Sequence, residues 1–172
     1  MSLDKIISNV PDYAKDTKIN IKNVLNAENA PLNEKQIAST ALACAIALKH
    51  QNLIDAFKEK AEQVLDDNEL QAAHAAAVIM GMNNIYYRFA HLASNQEYLD
   101  MPAGLRMNVI ANHGIEKTDF ELYSLAVSAL NGCGMCIDSH EKILKDHGVS
   151  KEQIQHAVKI AAVINALSYV AE

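Results

Sequence analysis

The stretch Asn131-Gly-Cys-Gly-Met-Cys-Ile-Asp-Ser-His140 is the one around which the chain is organised. It contains Cys133 and Cys136, three residues apart, and His140 follows four residues after the second cysteine. In a helix that begins near Cys133, these side chains have the spacing i, i+3 and i+7 and lie along one face. Two thiols and an imidazole on one stripe predict either a redox dithiol with its own base or most of a metal site.

The sequence around this stretch is typical of an all-α protein. Half of the 172 residues are hydrophobic, and the chain has six Gly, three Pro and no Trp. Ala, Leu, Ile and Val dominate over aromatic residues, which favours helices over a β-sandwich. Capping pairs predict helix starts at Asn33 and Ser150, and an Ala-rich helix is predicted to run from near Asn68 to about His91. The last helix is predicted to continue to the C-terminus.

The two halves of the chain match each other at an offset of 83 residues. Ile54-Asp55 matches Ile137-Asp138, and Leu42-Ala43 matches Leu125-Ala126. The match predicts one domain with a duplicated three-helix unit, because neither half could bury its apolar faces alone. The predicted parts are N-terminal helices in 1–30, a first unit in 33–93, a connecting segment in 94–117 and a second unit in 118–172.

The reactive side chains occur in the second unit and not in the first. At the same offset, the first unit lacks these reactive groups. Cys133 aligns with His50 and Cys136 with Leu53. His140 aligns with Phe57 and Glu121 with Ala38. A purely structural feature would be expected in both copies. The second unit is therefore predicted to be the active half.

Charge and hydropathy exclude several classes of protein. The net charge is −6 and no basic cluster is present, which argues against a nucleic-acid partner. The longest apolar run, Ala41 to Leu48, is too short to span a bilayer, and the N-terminus has no apolar signal core. Three cysteines do not form a secreted disulfide framework, so a cytoplasmic protein is expected. Cys44 lies in the apolar run and is expected in the core.

The residues leave three kinds of function open. The first is a redox dithiol. Gly132 and Gly134 free the backbone around Cys133, and a helix start there would lower thiol pKa values from about 8.5 towards roughly 3.5–7.5, which favours reactive thiolates. A zinc site could use Cys133, Cys136 and His140, with Glu121 or His113 as the fourth ligand, although structural zinc often needs a second Cys pair. The third possibility is an oligomeric binding or scaffold protein with incidental thiols.

Glu121 has two interpretations. Thr118 followed by Glu121 has the spacing of a capping box, so local sequence alone makes Glu121 the N3 residue of a helix. As a carboxylate near the dithiol, it could instead act as a base.

Three passages resemble the alkyl hydroperoxide reductase D (AhpD) family, within the carboxymuconolactone decarboxylase-like superfamily. They are NGCGMCIDSH with Glu121 twelve residues before Cys133, NNIYYRFAHL (Asn83 to Leu92), and MPAGLRMN (Met101 to Asn108). The resemblance covers nearly the whole chain. One position departs from it, because the family often has His immediately before the second cysteine and this chain has Met135.

The resemblance implies a homotrimer with peroxidase activity. It implies that electrons arrive from a protein-bound lipoyl group and pass to a partner peroxiredoxin. Together with the His140 spacing, it makes Cys136 the thiolate that attacks peroxide and forms a sulfenic acid, with Cys133 as proton donor and resolving thiol. His140 and Glu121 are expected to relay the proton. A general dithiol–disulfide reductase is the nearest alternative within the enzyme class.

Overall fold

The computed structural model describes residues 1–171, and across that range the chain is helical with no strand. Its α-helices are α1 (Leu3–Ser8), α2 (Lys15–Leu25), α3 (Glu34–Leu48), α4 (Gln51–Ala61), α5 (Asp67–Leu92), α6 (Glu97–Asp100), α7 (Lys117–Leu130), α8 (Gly134–Asp146) and α9 (Lys151–Ser168). Short 3₁₀-helices cover Asp12–Ala14 and Asn108–Ile110. The predicted all-α fold is confirmed. Within the same range, none of the helices combines the length and apolarity needed to cross a membrane.

Polar caps define where the long helices begin. Full capping boxes open α3 at Asn33 and α9 at Ser150, as the sequence predicted. The helix start predicted near Asn68 lies slightly earlier, because the Asp66 carboxylate accepts a hydrogen bond of 2.9 Å from the Glu69 N–H. The last helix, α9, was predicted to continue to the C-terminus, but it ends at Ser168.

The capping box predicted at Thr118 is wrong. Helix α7 begins at Lys117, its N-cap is Glu116, and no side chain caps it by a hydrogen bond. Glu121 is therefore one turn inside the helix, where the backbone N–H groups already have partners within the helix. Its carboxylate is buried and is used for a tertiary contact instead.

Helix α7 forms the centre of the core. Every residue from Phe120 to Ser128 is buried, because α3, α5, α8 and α9 all pack around this helix. Ser124, Ala126 and Ser128 are small enough for neighbouring helices to approach closely. A polar side chain on α7, such as Glu121, is consequently kept away from water and needs a partner.

The connecting segment between α5 and α7 is largely irregular, and its apolar side chains divide into two groups. Met107, Val109 and Ile110 pack against the core of the same chain. Leu99, Met101 and Leu105 remain between 38% and 57% exposed. Only the first part of the segment therefore leaves apolar side chains open to a contact with another subunit.

The predicted duplication corresponds to a recurring order of helices, α3–α4–α5 and α7–α8–α9. His50 and Cys133, which align at the 83-residue offset, are the N-caps of α4 and α8 respectively. The side chain of Gln36 also donates to Asp119 at 2.8 Å, a contact between two residues separated by that offset. These features are expected of a repeated unit, and the duplication itself remains a prediction.

Candidate active site

A tight turn between α7 and α8 positions the two cysteines. Gly132 has φ +65°, a left-handed conformation that glycine adopts without steric cost. The Cys133 N–H then donates to the Ser128 carbonyl at 3.1 Å, so the turn closes the end of α7 in the manner of a Schellman motif. Cys133 becomes the N-cap of α8, and its Sγ accepts a hydrogen bond of 3.3 Å from the Cys136 N–H.

Cys133 and Cys136 are joined by a disulfide bond, with their Cα atoms 5.3 Å apart. The two sulfur positions differ in access: Cys133 is fully buried, whereas Cys136 is 7% exposed and lines a cavity. A reagent entering this cavity therefore reaches Cys136 first. The structure represents the oxidised form of the dithiol.

His140 and Glu121 form a buried pair beside Cys136. The Nδ1 of His140 lies 2.5 Å from Oε2 of Glu121, and both side chains are at least nine-tenths buried. The contact joins α8 to α7. The local sequence predicted a capping role for Glu121. Its carboxylate instead contacts the imidazole of His140, which lies one helical turn after Cys136.

The other ring nitrogen of His140 contacts a residue that the sequence did not predict. Its Nε2 lies 3.3 Å from the thioether sulfur of Met80 on α5. In the disulfide form, Nδ1 therefore has a carboxylate as its neighbour and Nε2 has a thioether sulfur. The pair holds the ring in one orientation next to Cys136.

The cavity at Cys136 has a volume of about 240 Å³ and is formed by α5, α7, α8 and the Asn108–Ile110 turn. Three of the predicted site residues line it, namely Cys136, His140 and Glu121. Its other lining residues are largely apolar: Met80, Asn83, Tyr87, Ile110, Met135, Ser139 and Ile143. A larger cavity of about 370 Å³ lies among α1, α2, α3 and α4 and contains none of the predicted site residues.

A polar network fixes the cysteine turn to α5. The Asn84 Nδ2 donates to Ser128 Oγ at 2.9 Å, and its Oδ1 accepts from Asn131 Nδ2 at 3.0 Å. The Arg88 guanidinium donates to the Asn131 carbonyl at 2.5 Å. Because Asn131 directly precedes Gly132, these contacts hold the turn against the long helix.

The remaining candidates lie in different surroundings. Cys44 is fully buried in α3, as predicted, and burial raises the pKa of its thiol well above the usual range. His113 stacks on Phe120 with the ring centroids 4.4 Å apart, and partial burial lowers its pKa although nearby Glu121 opposes that shift. Among residues 1–171, no group of three or more His, Cys, Asp or Glu side chains is arranged to hold a metal ion. Cys133 and Cys136, two of the ligands that the zinc alternative requires, are joined in the disulfide instead.

Comparison with known proteins identifies the family of this chain. A model of the Carboxymuconolactone decarboxylase family matches residues 96–170. The alkyl hydroperoxide reductase AhpD of Coxiella burnetii (strain RSA 493 / Nine Mile phase I) is 56% identical over 162 residues, which cover 94% of this chain and 92% of that protein. The protein of the same name from Maricaulis maris (strain MCS10) is 50% identical over 170 residues, covering 99% and 97%. The chain therefore belongs to the AhpD family.

Proposed function

We propose that this protein reduces organic hydroperoxides with the Cys133–Cys136 dithiol. The observation that carries the proposal is the cavity in which Cys136 meets the buried Glu121–His140 pair. The AhpD relatives are named alkyl hydroperoxide reductases, which fits a site that combines a reactive sulfur with a proton acceptor and an apolar wall.

The first half of the reaction oxidises the dithiol. The Glu121–His140 pair takes the proton of Cys136, directly or through water, and the thiolate attacks the terminal peroxide oxygen. The O–O bond breaks, leaving a sulfenic acid on Cys136 and an alkoxide that takes the proton of Cys133. The Cys133 thiolate then attacks the Cys136 sulfur and expels hydroxide, which becomes water with the proton held by the pair. Dithiol and hydroperoxide thus give disulfide, alcohol and water.

The second half regenerates the dithiol by thiol–disulfide exchange. A dihydrolipoyl thiolate of a partner protein attacks the more accessible sulfur, Cys136, and releases the Cys133 thiolate. The second lipoyl thiol resolves the mixed disulfide and frees Cys136. The same dithiol can reduce a disulfide of a partner peroxiredoxin, with Cys136 attacking and Cys133 resolving.

Turnover with defined donors tests this proposal and separates it from a general disulfide reductase. We expect dihydrolipoamide to sustain reduction of an alkyl hydroperoxide, to do so more efficiently than glutathione, and to give faster turnover when a peroxiredoxin is added. The lipoyl arm is long and mostly apolar, so it suits the walls of the cavity. Reduction of a disulfide substrate without any reduction of peroxide would favour the general reductase, and equal use of glutathione would contradict the lipoyl donor.

A homotrimer is part of the proposal, and the exposed face of α5 supports it. Val78, Ile85, Phe89 and Leu92 are spaced along one stripe, and each is at least half exposed. The stripe continues onto α6, because the rings of Phe89 and Tyr98 lie 5.0 Å apart. A contiguous apolar surface of this kind is typical of a subunit interface.

Replacing Ile85 tests the assembly. We expect wild-type protein to have a trimeric mass by light scattering and Ile85→Glu to dissociate, because a carboxylate would be buried without a partner at the interface. Ile19→Glu is the matched control, since Ile19 is an exposed isoleucine on α2, away from the stripe. A monomeric wild type, or an Ile85→Glu trimer, would contradict this assignment.

A further inference from the structure

Asn83 on α5 is a buried amide without a protein partner. The residue is 5% exposed, and its Oδ1 has no hydrogen-bond partner among residues 1–171. It lines the cavity that contains Cys136. The next residue, Asn84, is also buried, yet its amide oxygen and nitrogen both have partners on α7 and the following turn. Asn84 thus has a structural role that Asn83 lacks.

Buried polar groups in native proteins are almost always hydrogen-bonded, so an exception needs an explanation. Packing alone does not explain Asn83, because an apolar side chain of the same volume would fill the space without an unsatisfied oxygen. An unpartnered acceptor on a side chain that lines the cavity of a reactive sulfur is the arrangement expected of a group whose partner is the substrate.

The other polar groups of the cavity have partners or are open to solvent. Glu121 and His140 bind each other, and the Tyr87 hydroxyl points to the Met107 sulfur at 4.0 Å. Ser139 is exposed. Among the described lining residues, the Asn83 amide is therefore the buried group that remains to bind a ligand.

We propose that Asn83 binds the hydroperoxide and orients it for attack by Cys136, an inference that rests on the proposed peroxide reduction. A hydroperoxide carries one O–H donor and two acceptor oxygens, and an amide offers the complementary acceptor and donor. The Asn83 Oδ1 accepts the O–H of the terminal oxygen, and its Nδ2 donates to the oxygen bound to carbon. The terminal oxygen is thereby presented to the thiolate.

The same contacts assist the chemical step. As the Cys136 sulfur bonds to the terminal oxygen and the O–O bond breaks, negative charge develops on the alkoxide oxygen, where the Asn83 Nδ2 donates. Cys136 loses two electrons to the peroxide, and the alkoxide then takes the proton of Cys133. A donor directed at developing charge stabilises the transition state more than the ground state. The Oδ1 then accepts the O–H of the sulfenic acid.

Asn83→Leu separates this role from a structural one, because the two half-reactions can be measured individually. Rapid mixing of the reduced protein with cumene hydroperoxide gives the rate constant of oxidation, and mixing of the disulfide form with dihydrolipoamide gives that of reduction. We expect oxidation to slow about 10²-fold, the scale for losing one oxyanion donor. Reduction should change less than about twofold, because the thiol–disulfide exchange does not use the amide.

Melting temperature provides a second readout. Removing an unsatisfied buried oxygen should leave the melting temperature of Asn83→Leu unchanged or raised. Asn84→Leu is the matched comparison: it removes the hydrogen bonds to Ser128 and Asn131 and should lower the melting temperature. If Asn83→Leu does not fold, Asn83→Ala carries the same kinetic expectation, and Asn83→Gln, which keeps the amide, should retain more oxidation rate than either.

Two results would overturn the assignment of Asn83. One is an oxidation rate constant within about threefold of wild type, since a lost substrate contact should cost more. The other is an equal loss in both half-reactions, which would mean that Asn83 supports the site only structurally. Failure of the proposed function is distinguishable, because the wild-type protein would then show no oxidation by cumene hydroperoxide.

Discussion

Cys136→Ser is expected to abolish peroxide turnover and to leave no sulfenic acid for a trapping reagent. A serine hydroxyl cannot replace the thiolate, because it is not ionised near neutral pH and sulfur is the atom that accepts the peroxide oxygen. Cys133→Ser should also stop turnover, since the disulfide cannot close. It should nevertheless allow Cys136 to form a sulfenic acid, which dimedone labels and peptide mass spectrometry locates.

Access to the cavity favours this proposed division of roles, although the helix dipole opposes it. Cys133 is the N-cap of α8, where the helix dipole would favour its thiolate. Cys136, however, lines the cavity beside Glu121 and His140, while Cys133 is fully buried. Access to the peroxide and to a base therefore favours Cys136 as the attacking residue.

Cys44→Ala is the control for the labelling experiment. Cys44 is fully buried and burial raises the pKa of its thiol, so it should neither react with peroxide nor take up the label. The variant should retain wild-type turnover. Label on Cys133 in the Cys136→Ser protein would reverse the assignment of the two cysteines.

The sequence predicts those parts of the site that depend on local geometry. The positions of Cys133, Cys136 and His140 follow from helical spacing, because three residues at i, i+3 and i+7 share a face whatever surrounds the helix. The glycine before the first cysteine indicates a freer backbone there, and the structure adds that Gly132 adopts a left-handed turn. The helix containing Glu121 was also predicted, although its starting residue was not.

Contacts between distant segments lie outside what local spacing can predict. The Glu121–His140 contact joins α7 to α8. Local sequence alone could not predict it and favoured a capping role for Glu121. Met80 and Asn83 reach the cavity only because α5 packs against α7 and α8. Asn83 lies in the NNIYYRFAHL passage that indicated the family, yet nothing local distinguishes it from Asn84, which binds Ser128 instead.

Glu121→Gln is expected to lower peroxide turnover about 10²-fold or more while the protein remains folded. Glutamine is close in volume, and its amide oxygen can still accept a hydrogen bond from His140 Nδ1, so the packing of α7 against α8 should persist. Glutamine cannot act as a carboxylate base or balance a charged imidazole, and loss of general base help typically costs 10²–10⁴-fold, roughly. Turnover and thermal melting, both measured at pH 8, give the two readouts.

Glu116→Gln is the matched control, because it removes the same charge at the N-cap of α7 without touching the cavity. Its turnover and melting temperature should both stay near those of wild type, since Glu116 caps the helix with no side-chain hydrogen bond. If Glu121→Gln retained full turnover, the carboxylate would serve only to orient His140, and the imidazole alone would remain as the base for Cys136. A large loss confined to Glu121→Gln would instead mean that proton removal needs the carboxylate behind the imidazole, as their buried contact suggests.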